Sequence, residues 1–171
     1  QDMGMDYIGP YTFSAVRLVL GFITLLPFFF IFEFKKVKDT KLNFKVIIGY
    51  FFLLGFFLAG GNILQQISLI YTDVANSAVF TVLYVVIVPI IAYFMFSKKI
   101  HKTVWPSVLM CLIGGLLLSE LNNLRVRYGD TLVVIGAFFW AFHIVFVSKF
   151  LKIFNFPITI AAFQCLVAAI L

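Results

Sequence analysis

ANSAVFTVLYVVIVPIIAYFMF, residues 75–96, carries no charged side chain from end to end. It exceeds the ~20 residues that a helix needs to cross ~30 Å of hydrocarbon, so it reads as a transmembrane helix. Five further apolar runs surround it, at about Pro10 to Phe32, Phe44 to Tyr71, Val104 to Leu121, Thr131 to Phe150 and Pro157 to Leu171. They leave the chain 63% hydrophobic and only 12% charged, with a mean hydropathy of +1.10. No water-soluble core could hide that much apolar surface. The expected fold is all-α: a polytopic helical bundle whose solvent is the lipid bilayer.

A net charge of +6 would suggest a nucleic-acid partner in a soluble protein, but here the cations sit in alternate connections and read as topology signals. Lys35, Lys36, Lys38, Lys41 and Lys45 separate the first two runs. Lys98, Lys99 and Lys102 separate the third and fourth, and Lys149 and Lys152 the last two. The other connections hold Asp2 and Asp6, Asp73, and the stretch from Glu120 to Asp130, where Arg125 and Arg127 offset two acids. Short Lys-rich loops stay on the cytoplasmic side, which predicts a multi-pass plasma-membrane protein with these loops in the cytoplasm. Thr72 or Asp73 is expected to cap the helix at 75–96. Pro106 suits the first turn of the fourth helix. Pro27 and Pro89 fall inside spans, where each removes a backbone hydrogen bond and permits a kink.

Residues 10–17, PYTFSAVR, align with residues 157–164, PITIAAFQ. The match keeps Pro, Thr and Ala and places a polar residue, Arg17 or Gln164, at the same step. By the loop charges the first segment runs outside to inside and the second inside to outside. Five crossings per repeat produce that inversion, and five runs separate one Pro from the other. The expectation is ten transmembrane segments in two inverted five-helix repeats, with six of them here. Residues 1–121 are the first repeat without its first helix, and 122–171 start the second, truncated in its second helix.

Further motifs carry a family likeness: LQQISLIYTDVANSA at 64–78, LYVVIVP at 83–89, TVW at 103–105 with Gly114 and Gly115, and Gly129-Asp130 followed by Trp140-Ala141. In order and spacing this resembles the EamA-type branch of the drug/metabolite transporter superfamily. The likeness implies ten helices in two inverted halves and movement of a small metabolite or drug-like solute by alternating access. Ser107 departs from the pattern, where Gly more often follows the Trp by two residues. Neither the substrate nor the oligomeric state is encoded in these motifs.

Candidate solute-binding residues are those that hydrocarbon makes expensive. Arg17 is the one clear charge inside a span; it either snorkels to the interface or attracts an anion at a cavity mouth. Asn62, Gln65 and Gln66 share one helical face by their spacing, beside Gly60 and Gly61, and either line a pocket or join helices. Asn76, Phe80 and Tyr84 repeat every four residues as a polar and aromatic stripe. Trp140 and His143 lie halfway through the fifth run, and His143 is the one mid-membrane group that titrates near neutrality. No Asp or Glu lies within a span, since Glu33, Glu120 and Asp130 sit at ends. A membrane-embedded enzyme would need a nucleophile with its base, paired carboxylates or a metal cluster. His101 belongs to a loop and His143 stands alone, so no catalytic residue, metal or cofactor is expected. A structural or sensory membrane protein would share the helices and loop charges but would not predict the inverted repeat.

Overall fold

The computed structural model describes residues 8–40, 44–96, 100–118 and 127–171. Asp2, Asp6, Lys41, Lys98, Lys99, Glu120 and Arg125 lie outside the described residues. Helix α1 (Pro10–Phe28) passes through a π-helical turn (Phe29–Glu33) into α2 (Phe34–Asp39). Then come α3 (Phe44–Ser68), α4 (Val74–Thr81), α5 (Tyr84–Phe96), α6 (Val104–Leu118), α7 (Tyr128–Phe154) and α8 (Pro157–Ile170). The spans Pro10–Asp39, Lys45–Ser68, Val74–Phe96 and Tyr128–Phe154 are long and apolar enough to cross a bilayer. Large apolar side chains such as Phe30, Phe94, Met110 and Leu117 project outward, as a surface facing lipid tails requires. The chain is a helical membrane protein.

Three local features depart from the sequence reading. First, neither Thr72 nor Asp73 caps α4 through its side chain. The Thr72 hydroxyl donates to Asp130 at 2.5 Å, and Asp73 pairs with Arg127 at 2.8 Å. Asp130 is almost completely buried, and a buried carboxylate takes whatever donors approach it. Second, the first run stays helical to Asp39, because Lys is a good helix former whose long stem reaches water from an apolar depth. Third, the span at 75–96 is interrupted at Val82 and Leu83, where Leu83, Val85 and Val86 donate to carbonyls three residues back. The interruption lies just before Pro89, which has no N–H to give Val85 and crowds that carbonyl. Pro27 is followed directly by the π-helical turn.

The bundle is organised around α3. Helix α7 runs antiparallel to it, pairing Tyr50 with Phe150 (ring centroids 4.0 Å) and Phe57 with Phe142 and Phe146 (5.4 and 5.6 Å). Further along, Gly61 meets Trp140, and Gly129 lies so close to α3 that a Cβ there would sit 2.7 Å from the Ser68 carbonyl oxygen. Helix α8 runs parallel to α3, with Gly55 against Val167 and Phe51 stacked on Phe163 at 5.3 Å. The turn between α7 and α8 is made by Asn155 in the left-handed conformation, φ 49°, followed by Pro157 at the start of α8.

Helices α1 and α8 are antiparallel neighbours. Contacts run from Leu18 with Ala168, through Phe29 with Phe163 at 5.8 Å, to Glu33 with Thr159. These directions place Lys35, Lys36, Lys38, Lys45, Lys149 and Lys152 at one end of the bundle, and Asp73, Arg127 and Asp130 at the other. Lys149 lies over the Phe96 ring at 5.1 Å, which brings the end of α5 to the same Lys-rich end.

Candidate solute site

The polar residues within the apolar spans fall into separate groups. On α1, two turns from its start, the Arg17 guanidinium donates to Asn62 Oδ1 on α3 and lies over the Phe13 ring at 5.8 Å. The Asn62 amide in turn donates to the Leu58 carbonyl at 2.9 Å. Gln65 Nε2 reaches Thr81 Oγ1 on α4 at 3.4 Å, and Gln66 is 1% exposed. The shared face of Asn62, Gln65 and Gln66 therefore turns inward, with Asn62 toward α1 and Gln65 toward α4.

On α7, Trp140 and His143 stand edge to face at 6.0 Å. His143 Nε2 lies 3.1 Å from Gln164 Oε1 on α8; an amide oxygen accepts, so this bond takes the ring tautomer with its proton on Nε2. Trp140 packs on the cluster of Leu18, Leu58, Ala59 and Ala168. The Gly at position 61 makes room for the indole, which lies 3.1 Å from where a Cβ would be. Asn76 sits half-buried in the first turn of α4, nearer the Asp73 end than mid-span. Tyr84 follows the break at Val82 and Leu83, which puts it out of step with Asn76 and Phe80.

Two cavities receive these groups differently. One of 380 Å³ opens between α1, α3 and α8 and is lined by Ser14, Leu18, Ala59, Asn62 and Ala168. Tyr84 lines another of 530 Å³, between α5, α6 and Ile144 of α7. A third, of 280 Å³, is apolar and lies toward the Lys-rich end, between Phe29, Phe51, Phe150 and Phe163. Volumes of this order suit small ligands.

Glu33 is a functional candidate that its position at the end of a run concealed. It is 5% exposed and reaches across to the start of α8, which has no side-chain cap of its own. Its carboxylate accepts from Ile158 N at 3.1 Å, Thr159 N at 2.7 Å and Thr159 Oγ1 at 2.6 Å. A negative charge against the free N–H groups of a helix start is favourable twice over, by hydrogen bonding and by the helix dipole. Glu33 thereby ties the Lys-rich ends of α1 and α8 together. Gln164 and Ser14 were likewise not singled out as site residues, although the repeat alignment had set Gln164 level with Arg17.

A multi-span helical bundle with buried amides, a half-buried Arg within a span and a His at mid-depth belongs to the class of polytopic membrane proteins with polar interiors. Residues 1–120 match the EamA-like transporter family. The chain belongs to the EamA-like transporter family. It is also 28% identical over 162 residues to an uncharacterized transporter of Archaeoglobus fulgidus, a match that covers 95% of this chain and 47% of that protein. The chain thus spans about half the length of that relative. No solved structure matches it significantly.

Proposed function

We propose that this chain is part of a transporter that moves a small metabolite or drug-like solute across the plasma membrane by alternating access. The observation that carries the reading is the antiparallel pairing of α1 and α8, whose starts are the aligned segments PYTFSAVR and PITIAAFQ. Equivalent helices entering from opposite sides are what an inverted repeat produces. The pair is tied by Glu33 at its Lys-rich end, which supports a state closed at that end, and the Lys-rich loops are read as cytoplasmic. In this reading residues 1–121 belong to the first repeat and 122–171 to the second, and Asn62, Gln66, Tyr84, Trp140 and His143 line the solute path.

The test is transport by the full-length protein in liposomes, using a panel of labelled small metabolites. At least one should be retained above protein-free liposomes, and Gln66→Leu and Tyr84→Phe should change its apparent affinity at unchanged folded yield. Retention of none would remove the transporter reading. Unchanged titrations in both variants would leave transport standing and make these two residues packing groups.

A further inference from the structure

The apolar cavity of 280 Å³ toward the Lys-rich end is walled by Phe29, Phe51, Phe150, Phe154 and Phe163. Thr159 also lines it, but its hydroxyl donates to Glu33 at 2.6 Å, and the exposed lining is apolar throughout. Such a void forfeits dispersion contacts along its walls and holds no water, so it favours an apolar occupant. The cavity reaches the outside of the bundle beside α2 and α3, where Ile48 lines it and is 49% exposed. Val37 lines it from α2, between the exposed Lys36 and Lys38. Lys45, also exposed, stands one turn before Ile48 on α3, a spacing that puts both on one helical face. Among the described residues from 33 to 48 the acids are Asp39, which is exposed, and Glu33, whose carboxylate is turned into the start of α8. Cations therefore prevail around an apolar opening.

We propose that one anionic phospholipid of the surrounding membrane binds here, with its phosphate held by Lys36, Lys38 and Lys45 and part of one acyl chain in the cavity. The two halves of the site match the two halves of that molecule. A neutral apolar solute would leave the lysines unused, and an inorganic anion would leave the cavity empty. Lysines at the cytoplasmic ends of transmembrane helices attract the anionic lipids of that leaflet, and the aromatic cavity adds a place for one chain that a diffuse positive surface lacks. The proposal rests on the membrane topology and not on transport, so either can fail without the other.

The probes are phosphatidylglycerol and phosphatidylcholine carrying the same two acyl chains. Each is titrated into the full-length protein in detergent micelles, with binding read by native mass spectrometry and the fold checked by circular dichroism. The first phosphatidylglycerol should bind at least about tenfold more tightly than phosphatidylcholine, since each lysine near a membrane surface is worth about fivefold. Lys36→Gln, Lys38→Gln and Lys45→Gln should each lower the phosphatidylglycerol affinity by about fivefold and leave phosphatidylcholine unchanged. Lys102→Gln should change neither, because it precedes α6, which contributes nothing to the cavity lining. Ile48→Trp, which plugs the mouth with every lysine in place, should weaken both lipids by at least about tenfold, the equivalent of about two methylene groups left unburied. Equal affinity for the two lipids, a preference that survives all three lysine variants, or an equal loss in Lys102→Gln would overturn the proposal. So would a folded Ile48→Trp that binds phosphatidylglycerol as the parent protein does. Where Ile48→Trp does not fold, the exposed lysines decide the matter.

Discussion

Replacing Glu33 should loosen the Lys-rich end of the bundle by an amount that its contacts set. Its carboxylate accepts three hydrogen bonds, of 3.1, 2.7 and 2.6 Å, from Ile158 N, Thr159 N and Thr159 Oγ1. Hydrogen bonds to a charged group contribute ~1.5–3 kcal/mol each, and the dipole of a partly buried helix start adds up to ~2 kcal/mol. Against this stands the several kcal/mol that desolvating the carboxylate costs. The balance puts Glu33→Ala at about 3 kcal/mol of destabilisation, since it also strands backbone N–H groups in a buried place. Glu33→Gln keeps one acceptor oxygen and should cost about half as much. Thr159→Val removes only the hydroxyl bond, about 1 kcal/mol, and a double-mutant cycle with Glu33→Gln should return a coupling of similar size. The assay is unfolding in mixed micelles by added dodecyl sulfate, followed by circular dichroism. If Glu33→Ala and Glu33→Gln both unfold within about 0.5 kcal/mol of the parent protein, the cap carries no weight and the reasoning fails.

Gly129→Ala should destabilise by about 1–3 kcal/mol in the same assay, because its Cβ would stand 2.7 Å from the Ser68 carbonyl oxygen and 2.9 Å from Thr72 N, both backbone atoms; an unchanged midpoint would mean the α3–α7 approach is looser than described. Asp73→Asn should change stability by less than about 1 kcal/mol, since the pair with Arg127 is 43% and 66% exposed. Single cysteines at Lys36 and at Asp73 should react with a membrane-impermeant reagent from opposite faces of the membrane, the cytoplasmic face for position 36, and labelling of both from one face would overturn the topology.

The bundle was legible because a bilayer imposes length and polarity rules that few other solvents do. Hydrocarbon thickness demands long uncharged runs, and the six runs reappear with ends shifted by only a few residues in most cases. Among the described residues, Lys35, Lys36, Lys38, Lys45, Lys149 and Lys152 come to one end of the bundle. The glycines at 60 and 61 were readable as close-packing positions, and each now faces an aromatic side chain of α7.

What stayed hidden depends on contacts between distant residues. Glu33 looked like an ordinary helix-end acid, because nothing near it in the sequence says that the start of α8 lies opposite. Thr72 and Asp73 looked like caps for the helix that follows them, yet Asp130 and Arg127 compete for them from across the bundle. His143 looked solitary because Gln164 stands on another helix. Phe80 and Tyr84 looked like one stripe because a regular helix was assumed through Val82 and Leu83, where the hydrogen-bond pattern tightens instead. Of the eight proposed solute contacts, Arg17 with Asn62 and Trp140 with His143 are brought together in pairs, while Tyr84 lines a different cavity from Asn62.

The central claim, alternating access between α1 and α8, is tested most directly by distances at the two ends of that pair. Spin labels at Lys38 with Ile158, and at Tyr11 with Ile170, can be measured by double electron–electron resonance in the full-length protein in nanodiscs. The account predicts two populations at each end, with solute or a change of lipid shifting them in opposite senses, the Lys-rich end opening as the other closes. A single unchanging distance at both ends, in a protein that still retains solute in liposomes, would contradict it.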